Sequence, residues 1–297
     1  RDLRRFGVPY QFVTAGTFLL TYGDRFFLKA ADGLSAVGQY SLAYQFGFLF
    51  MGLGPMPFYK AWTPVRHQQL QLSRAERDAH TNTALRFFTL LVSLLAVGIA
   101  VFAAPGLRIV ATAEYQLAAD LIPLIVGAYL LLGWTDVMQF GIDVSERTSA
   151  ATYATWITVA AILLLQFLLI PRYGVSGAAA ATVVAFGLRF ALYTRAAQRL
   201  TPISYDWRVP LTSLVLAVLA VLGERLLRPA SIVAQLALSA TIWLAFGVGV
   251  ALLVLRREDR RAVADALSAP RRRVTLFFSA SSSRPSDLDE RSETHDH

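Results

Sequence analysis

A charged side chain inside an apolar stretch can bind an opposite charge or pass a proton, and this chain offers three such places. Asp24 and Arg25 stand side by side near the end of an apolar run over residues 6–28. Asp136 opens a series with Gln139, Asp143 and Glu146, spaced three, four and three residues apart. On a helix that spacing makes one polar stripe. Arg189 lies alone in a run over residues 174–196. Setting an ionisable group in the membrane interior costs roughly 2.5–3.5 kcal/mol on insertion scales, so each needs a physical reason.

Two readings exist for each place. Asp24-Arg25 is a local ion pair whose arginine snorkels to the outer headgroups, or a cationic site for an anionic substrate in a central cavity. The expected depth is about one turn from the outer end of the span. Asp143 and Glu146 read as a helix end fading into water. Asp136 lies deeper and is the candidate for proton or sodium coupling. Arg189 snorkels toward the cluster at Arg195 or lines the cavity. Ser41, Gln45 and Gly52 fall near one helical face, and Gln45 completes the candidate cavity set of Asp24, Arg25, Gln45, Asp136 and Arg189. The run GLGPMP (52–57) that follows is a packing kink or a hinge.

Other chemistries find no footing. The chain has no cysteine, and its four histidines (His67, His80, His295, His297) occupy a loop, a helix edge and the extreme tail. No metalloprotease, phosphate-loop, dinucleotide or nucleophile-elbow motif occurs. No catalytic residue, metal ligand or cofactor is expected, apart from a coupling ion. Glu114 and Glu224 read as isolated loop carboxylates, which argues against a paired glycosidase-type site.

The elements that carry these residues are eight apolar stretches, near 6–28, 35–58, 81–104, 117–141, 150–170, 174–196, 209–227 and 232–255. Each approaches the ~20 residues that cross a ~30 Å hydrocarbon core. The composition, 55% hydrophobic and 16% charged, fits lipid as the solvent. Runs such as residues 157–170 are apolar throughout rather than alternating, so the class is an all-α polytopic bundle, not a barrel.

Arginines set the expected orientation. They cluster in the leader (Arg1, Arg4, Arg5), after the second span (Arg66, Arg74, Arg77), after the sixth (Arg195, Arg199, Arg208) and at the start of the tail. Both ends are therefore expected in the cytoplasm, with the protein in the cytoplasmic membrane. The net charge of +8 belongs to this rim and to anionic lipid, with no nucleic acid implied. The chain divides into residues 1–197, a six-span block; 198–255, a further pair of spans; and 256–297, a basic amphipathic segment followed by a Ser-rich acidic tail. Arg1 reads as a cut within a longer protein, because the first stretch lacks a cleavage site.

Three segments resemble a known family. FGVPYQFVTAGTFLLTYGDRFFL (6–28) is similar to the first helix in the C-terminal half of bacterial polysaccharide flippases. VGQYSLAYQFG (37–47) with FYKAWTP (58–64) resembles their next helix and its exit, and IPRYGVSGAAAAT (170–182) a later tight turn. These are members of the multidrug/oligosaccharidyl-lipid/polysaccharide exporter superfamily. The resemblance implies the C-terminal lobe of a two-lobe, MATE-like transporter plus two extra helices, working by alternating access. It implies a polyprenyl-diphosphate oligosaccharide as substrate, membrane lipids as surroundings, and an N-terminal six-helix lobe that this sequence lacks. A drug exporter of the same superfamily and a membrane polysaccharide polymerase are the rival readings.

Overall fold

A computed structural model describes residues 11, 14–16, 18, 20–68, 71–112, 115–145 and 148–255; the basic segment and tail of 256–297 lie outside it. The described residues are helical, with no strand among them. The described residues before position 23 (11, 14–16, 18 and 20–22) are helical, followed by α1 (Asp24–Leu53), α2 (Pro55–Gln68), α3 (Arg74–Val110) and α4 (Gln116–Met138). A short α5 (Phe140–Val144), the long α6 (Thr148–Leu200), α7 (Arg208–Leu227) and α8 (Ile232–Val254) complete the order. Five helices among the described residues are long and apolar enough to cross a membrane.

Two glycines double helices back on themselves, one in α1 and one between the two runs expected as separate spans in α6. Gly33 has φ +79° and Gly174 φ +54°, the left-handed region that side chains with a Cβ avoid. Contacts on either side of each glycine are centred on it. Tyr40 reaches Asp24 and Arg25 reaches Ser41 across Gly33. Thr155 meets Tyr193, and Ile162 packs with Ala185, across Gly174. Each helix is thus a hairpin of two antiparallel arms. The two tips also touch, since a Cβ on Gly174 would sit 2.5 Å from Asp32 Oδ2. The small-residue seam expected at Gly177, Ala181 and Ala185 lies just beyond the second tip. Ala181 and Ala185 are buried, and Gly177 packs on the Leu169 backbone of the facing arm.

α4 is the central helix. Its buried residues run around the whole circumference, from Ala118 and Leu121 to Trp134 and Met138, as expected for a helix covered on all sides. It packs against α1, α3 and the second arm of α6, and Tyr44, Ile125, Tyr129 and Phe186 belong to the shared core. Gly47 permits the close approach of α1 to α4, because a Cβ there would lie 2.6 Å from the Tyr129 ring.

α7 and α8 pack on α3 through Val97, Val101, Ala217, Phe246 and Val250. Within this apolar seam, Trp243 donates to the Leu94 carbonyl at 2.9 Å and Ser239 to that of Val101 at 2.9 Å. Such bonds satisfy polar atoms that lipid cannot. Their other faces expose Leu211, Val215, Leu219, Leu244, Val248 and Leu252, a surface made for acyl chains.

Local sequence explains the helix ends. Ser73 and Glu76 form a capping box at the start of α3. The Ser73 hydroxyl and amide hold the exposed Glu76 carboxyl below its usual glutamate range. At GLGPMP the chain kinks rather than parting. Gly54 N–H still donates to Phe50 O at 3.0 Å, and Phe58 N–H to Gly54 O at 3.3 Å. The connector between α6 and α7 is held through its backbone. Asn82 donates to Ser204 O and accepts from Asp206 N–H, Asp78 accepts from Ser204 N–H, and Gln198 brackets Ile203.

Candidate functional site

The arms of α1 and the second arm of α6 meet around Asp24. Its carboxyl is fully buried, and its Oδ2 accepts from the Tyr40 hydroxyl at 2.7 Å. Tyr40, Tyr44 and Thr182 form a triangle of hydroxyls with sides of 3.2–3.3 Å. Three hydroxyls carry three protons, so their directions can be assigned. The Tyr40 proton goes to Asp24 at the shortest contact, and the Thr182 proton to Ala178 O at 3.0 Å. The Tyr44 proton then points to the oxygen of Tyr40 or Thr182. The network closes with Asp24 as its anionic end.

Arg25 occupies the solvent side of the same network. Its Nη1 donates to Thr21 O at 2.9 Å and lies 3.4 Å from Asp24 Oδ1, and its Nε donates to Ser41 Oγ at 3.3 Å. The guanidinium carbon sits 4.9 Å from the centre of the Tyr22 ring and 5.0 Å from that of Tyr44. Two rings and three oxygens thus fix one plane for the guanidinium, a favourable cation–π setting. The side chain remains 21% exposed while Asp24 is fully enclosed. The arrangement therefore presents a positive charge and hides the negative one.

The helix continues to Asp32, so Asp24 stands nine residues before the Gly33 tip, or about 13 Å at 1.5 Å per residue. The other candidates do not join this network. Gln45, one turn past Ser41, is exposed and outside it. Asp136 is half-buried near the end of α4, and the helical course carries on through Gln139, whose N–H donates to Thr135 O at 2.9 Å. Asp143's side chain and Glu146 lie outside the described residues.

Arg189 is buried against the seam between the arms of α6. Its guanidinium lies 4.9 Å over the Tyr193 ring, and Tyr193 bonds Thr155 at 2.9 Å. Tyr129 meets Phe186 and Trp134 meets Phe190, so α4 and this arm run side by side in one direction. In this register Arg189 stands beside Gly133, and Asp136 lies about one turn further along. Arg189 is seven residues past Thr182, about 10 Å along the arm from the Asp24 network.

Tyr40, Tyr44 and Thr182 escaped the sequence reading. The signal for the tyrosines is their four-residue spacing facing Asp24 across a hairpin, which becomes visible once Gly33 is read as the tip. Glu224, read as an isolated loop carboxylate, is instead 2% exposed. It accepts from Arg228 Nη2 at 3.1 Å and Gln235 Nε2 at 3.3 Å.

Removing the Tyr40 hydroxyl leaves a buried carboxylate oxygen without its donor. Tyr40→Phe is expected to destabilise the fold by about 1–3 kcal/mol, the range for a stranded buried polar group. Reversible unfolding in bicelles measures it. A loss under about 0.5 kcal/mol, typical of surface changes, would mean that Asp24 has another donor.

No protein-family model and no curated protein matches the sequence. Among solved structures, the fold is similar to that of "Lipid II flippase MurJ, inward closed conformation", with a TM-score of 0.62. The match covers 82% of this chain at 15% identity. The chain shares that protein's fold over this region. It spans about half (53%) of that protein's length, and at this identity the likeness establishes architecture alone. The expected all-helical bundle is therefore present.

Proposed function

We propose that this chain is one lobe of a transporter that flips a polyprenyl-diphosphate-linked oligosaccharide across the cytoplasmic membrane by alternating access. A second lobe, in the same polypeptide or a partner, would complete the cavity. The observation that carries this reading is Arg25, a guanidinium fixed within the helical bundle by Thr21, Ser41 and two tyrosine rings and left partly exposed. A diphosphate crossing hydrocarbon without a counter-charge faces a very large desolvation cost. A planar guanidinium matches phosphate oxygens with a fork of donors.

The pairing with Asp24 also suits release. At 3.4 Å the contact is loose for an ion pair, and Tyr40 continues to satisfy the carboxyl when Arg25 turns toward a phosphate. Binding therefore exchanges one anion for another. Transport requires a site strong enough to admit its cargo and weak enough to let it leave. Flipping makes and breaks no covalent bond, so the chain needs no catalytic group. The likeness to a lipid II flippase supports a lipid-linked cargo, and the three sequence segments support the glycan branch.

The test is the location of lipid-linked oligosaccharide in cells lacking the intact gene. Accumulation on the cytoplasmic leaflet, shielded from added glycosidase, is the expected result. Unpolymerised glycan on the outer leaflet would overturn the reading in favour of a later enzyme. Normal glycan with new drug sensitivity would overturn it in favour of a drug exporter.

A further inference from the structure

The ends of four helices converge on a polar cavity far from Asp24. Arg108 comes from the last turn of α3, Asp120 from the start of α4, Glu224 and Arg228 from the end of α7, and Gln235 from the start of α8. The cavity encloses about 240 Å³, and its lining includes Arg108, Gln116, Asp120, Arg228 and Gln235. It is a built site, because its two deepest polar groups are buried and committed. Gln235 is fully enclosed, accepting from Arg108 Nη1 at 2.9 Å and donating to Glu224 at 3.3 Å. Glu224 holds the Nε and Nη2 atoms of Arg228 at 3.2 and 3.1 Å.

Arg108, Arg228 and the neighbouring Arg225, which donates to the Asp120 carbonyl, stand against Glu224 and Asp120, so the site holds both signs with one positive charge in excess. What it offers is separated polarity. Arg108 is exposed, with both Nη atoms on the floor and its Nε–H unassigned among the contacts of Gln235 and Ala230. Asp120 is 55% exposed, and among the described residues its Oδ1 meets Arg228 at 3.5 Å. A donor and a carboxylate oxygen thus face one opening, the complement of a molecule that carries phosphate and a protonated amine together.

The position selects a lipid as its source. Helix ends in a membrane bundle mark the headgroup level. Around this opening Ile109, Val110, Leu117, Leu226 and Val233 are 59–84% exposed, an apolar collar where acyl chains would lie. We propose that this cavity binds the headgroup of a zwitterionic phospholipid, its phosphate on Arg108 and Arg228 and its primary ammonium on Asp120. The lipid would sit where α7 and α8 join the bundle.

The full-length protein in mixed nanodiscs, analysed by native mass spectrometry, tests this. The expected result is preferential retention of phosphatidylethanolamine over phosphatidylcholine, whose quaternary amine cannot donate, and over phosphatidylglycerol, which has no amine. Asp120→Asn should abolish the preference over phosphatidylglycerol, and Arg108→Gln should reduce retention of both. Equal retention of all three lipids, or a preference for phosphatidylglycerol, overturns the proposal. Retention of water-soluble glycerophosphoethanolamine as strong as that of the lipid would overturn the lipid as its source. Asp120 is exposed, so its variant should fold. A loss of preference in Asp120→Asn that Asp120→Glu restores separates amine recognition from damage.

Discussion

Replacing Arg25 with alanine in the full-length protein is expected to slow flipping of lipid-linked oligosaccharide by about 30- to 1000-fold. The range corresponds to about 2–4 kcal/mol, the usual loss when one preorganised donor to an anion is removed from a water-poor site. Arg25 fits that description because its plane is fixed before any ligand arrives, by Thr21 O, Ser41 Oγ and the rings of Tyr22 and Tyr44. Arg25→Lys keeps the charge and loses the fork, so its rate should fall between those of alanine and wild type. The alanine variant also leaves Asp24 without its nearest cation, which costs stability. Folded protein in the membrane must therefore be quantified beside the rate. A rate within about twofold of wild type in Arg25→Ala, per folded molecule, would remove Arg25 from the transport path.

The second large effect is structural. At Gly177 an added Cβ would stand 2.5 Å from the Leu169 carbonyl oxygen and 2.8 Å from its carbon, and both are backbone atoms that cannot swing aside. Gly177→Ala is expected to destabilise the bundle by about 1–3 kcal/mol, and Gly177→Val by more, because the arms of α6 must part near their tip. Gly127 provides the contrast. It lies inside α4 with nothing within 4 Å of an added Cβ. Gly127→Ala should be neutral or stabilising by up to about 1 kcal/mol, since alanine loses less conformational freedom in a helix. Unfolding of both variants in bicelles decides it. Equal losses at the two sites would mean that close approach at Gly177 contributes nothing.

Much of the bundle was legible because lipid imposes length and apolarity on every span. The paired arms of α6 follow from two apolar runs joined at IPRYGVSG, and Gly174 supplies the reversal at the position that the runs leave for it. The distance of Asp24 from the hairpin tip was not legible. Hydropathy ended the first span at residue 28, whereas the helix continues through Lys29 to Asp32, polar residues that an exposed hairpin tip tolerates. The partners of Asp24 were hidden for another reason. Tyr40 and Tyr44 look like packing aromatics on their own helix, and Thr182 stands 142 residues from Tyr40 along the chain. Gln45 was chosen by its alignment with Ser41, but the inward face passes through Tyr40, Tyr44 and Gly47. Glu224 was taken for a loop residue because span boundaries are placed by apolarity, and a buried acid at a helix end offers none.

The connector between α6 and α7 is gripped at main-chain atoms: Ser204 by its carbonyl and amide, Asp206 by its amide, Ile203 by both. The gripping side chains are Asp78, Asn82 and Gln198. Natural variation should therefore run opposite to intuition in this region. The surface loop can exchange Ser204 and Asp206 with little effect, while the helical residues that hold it tolerate few substitutes.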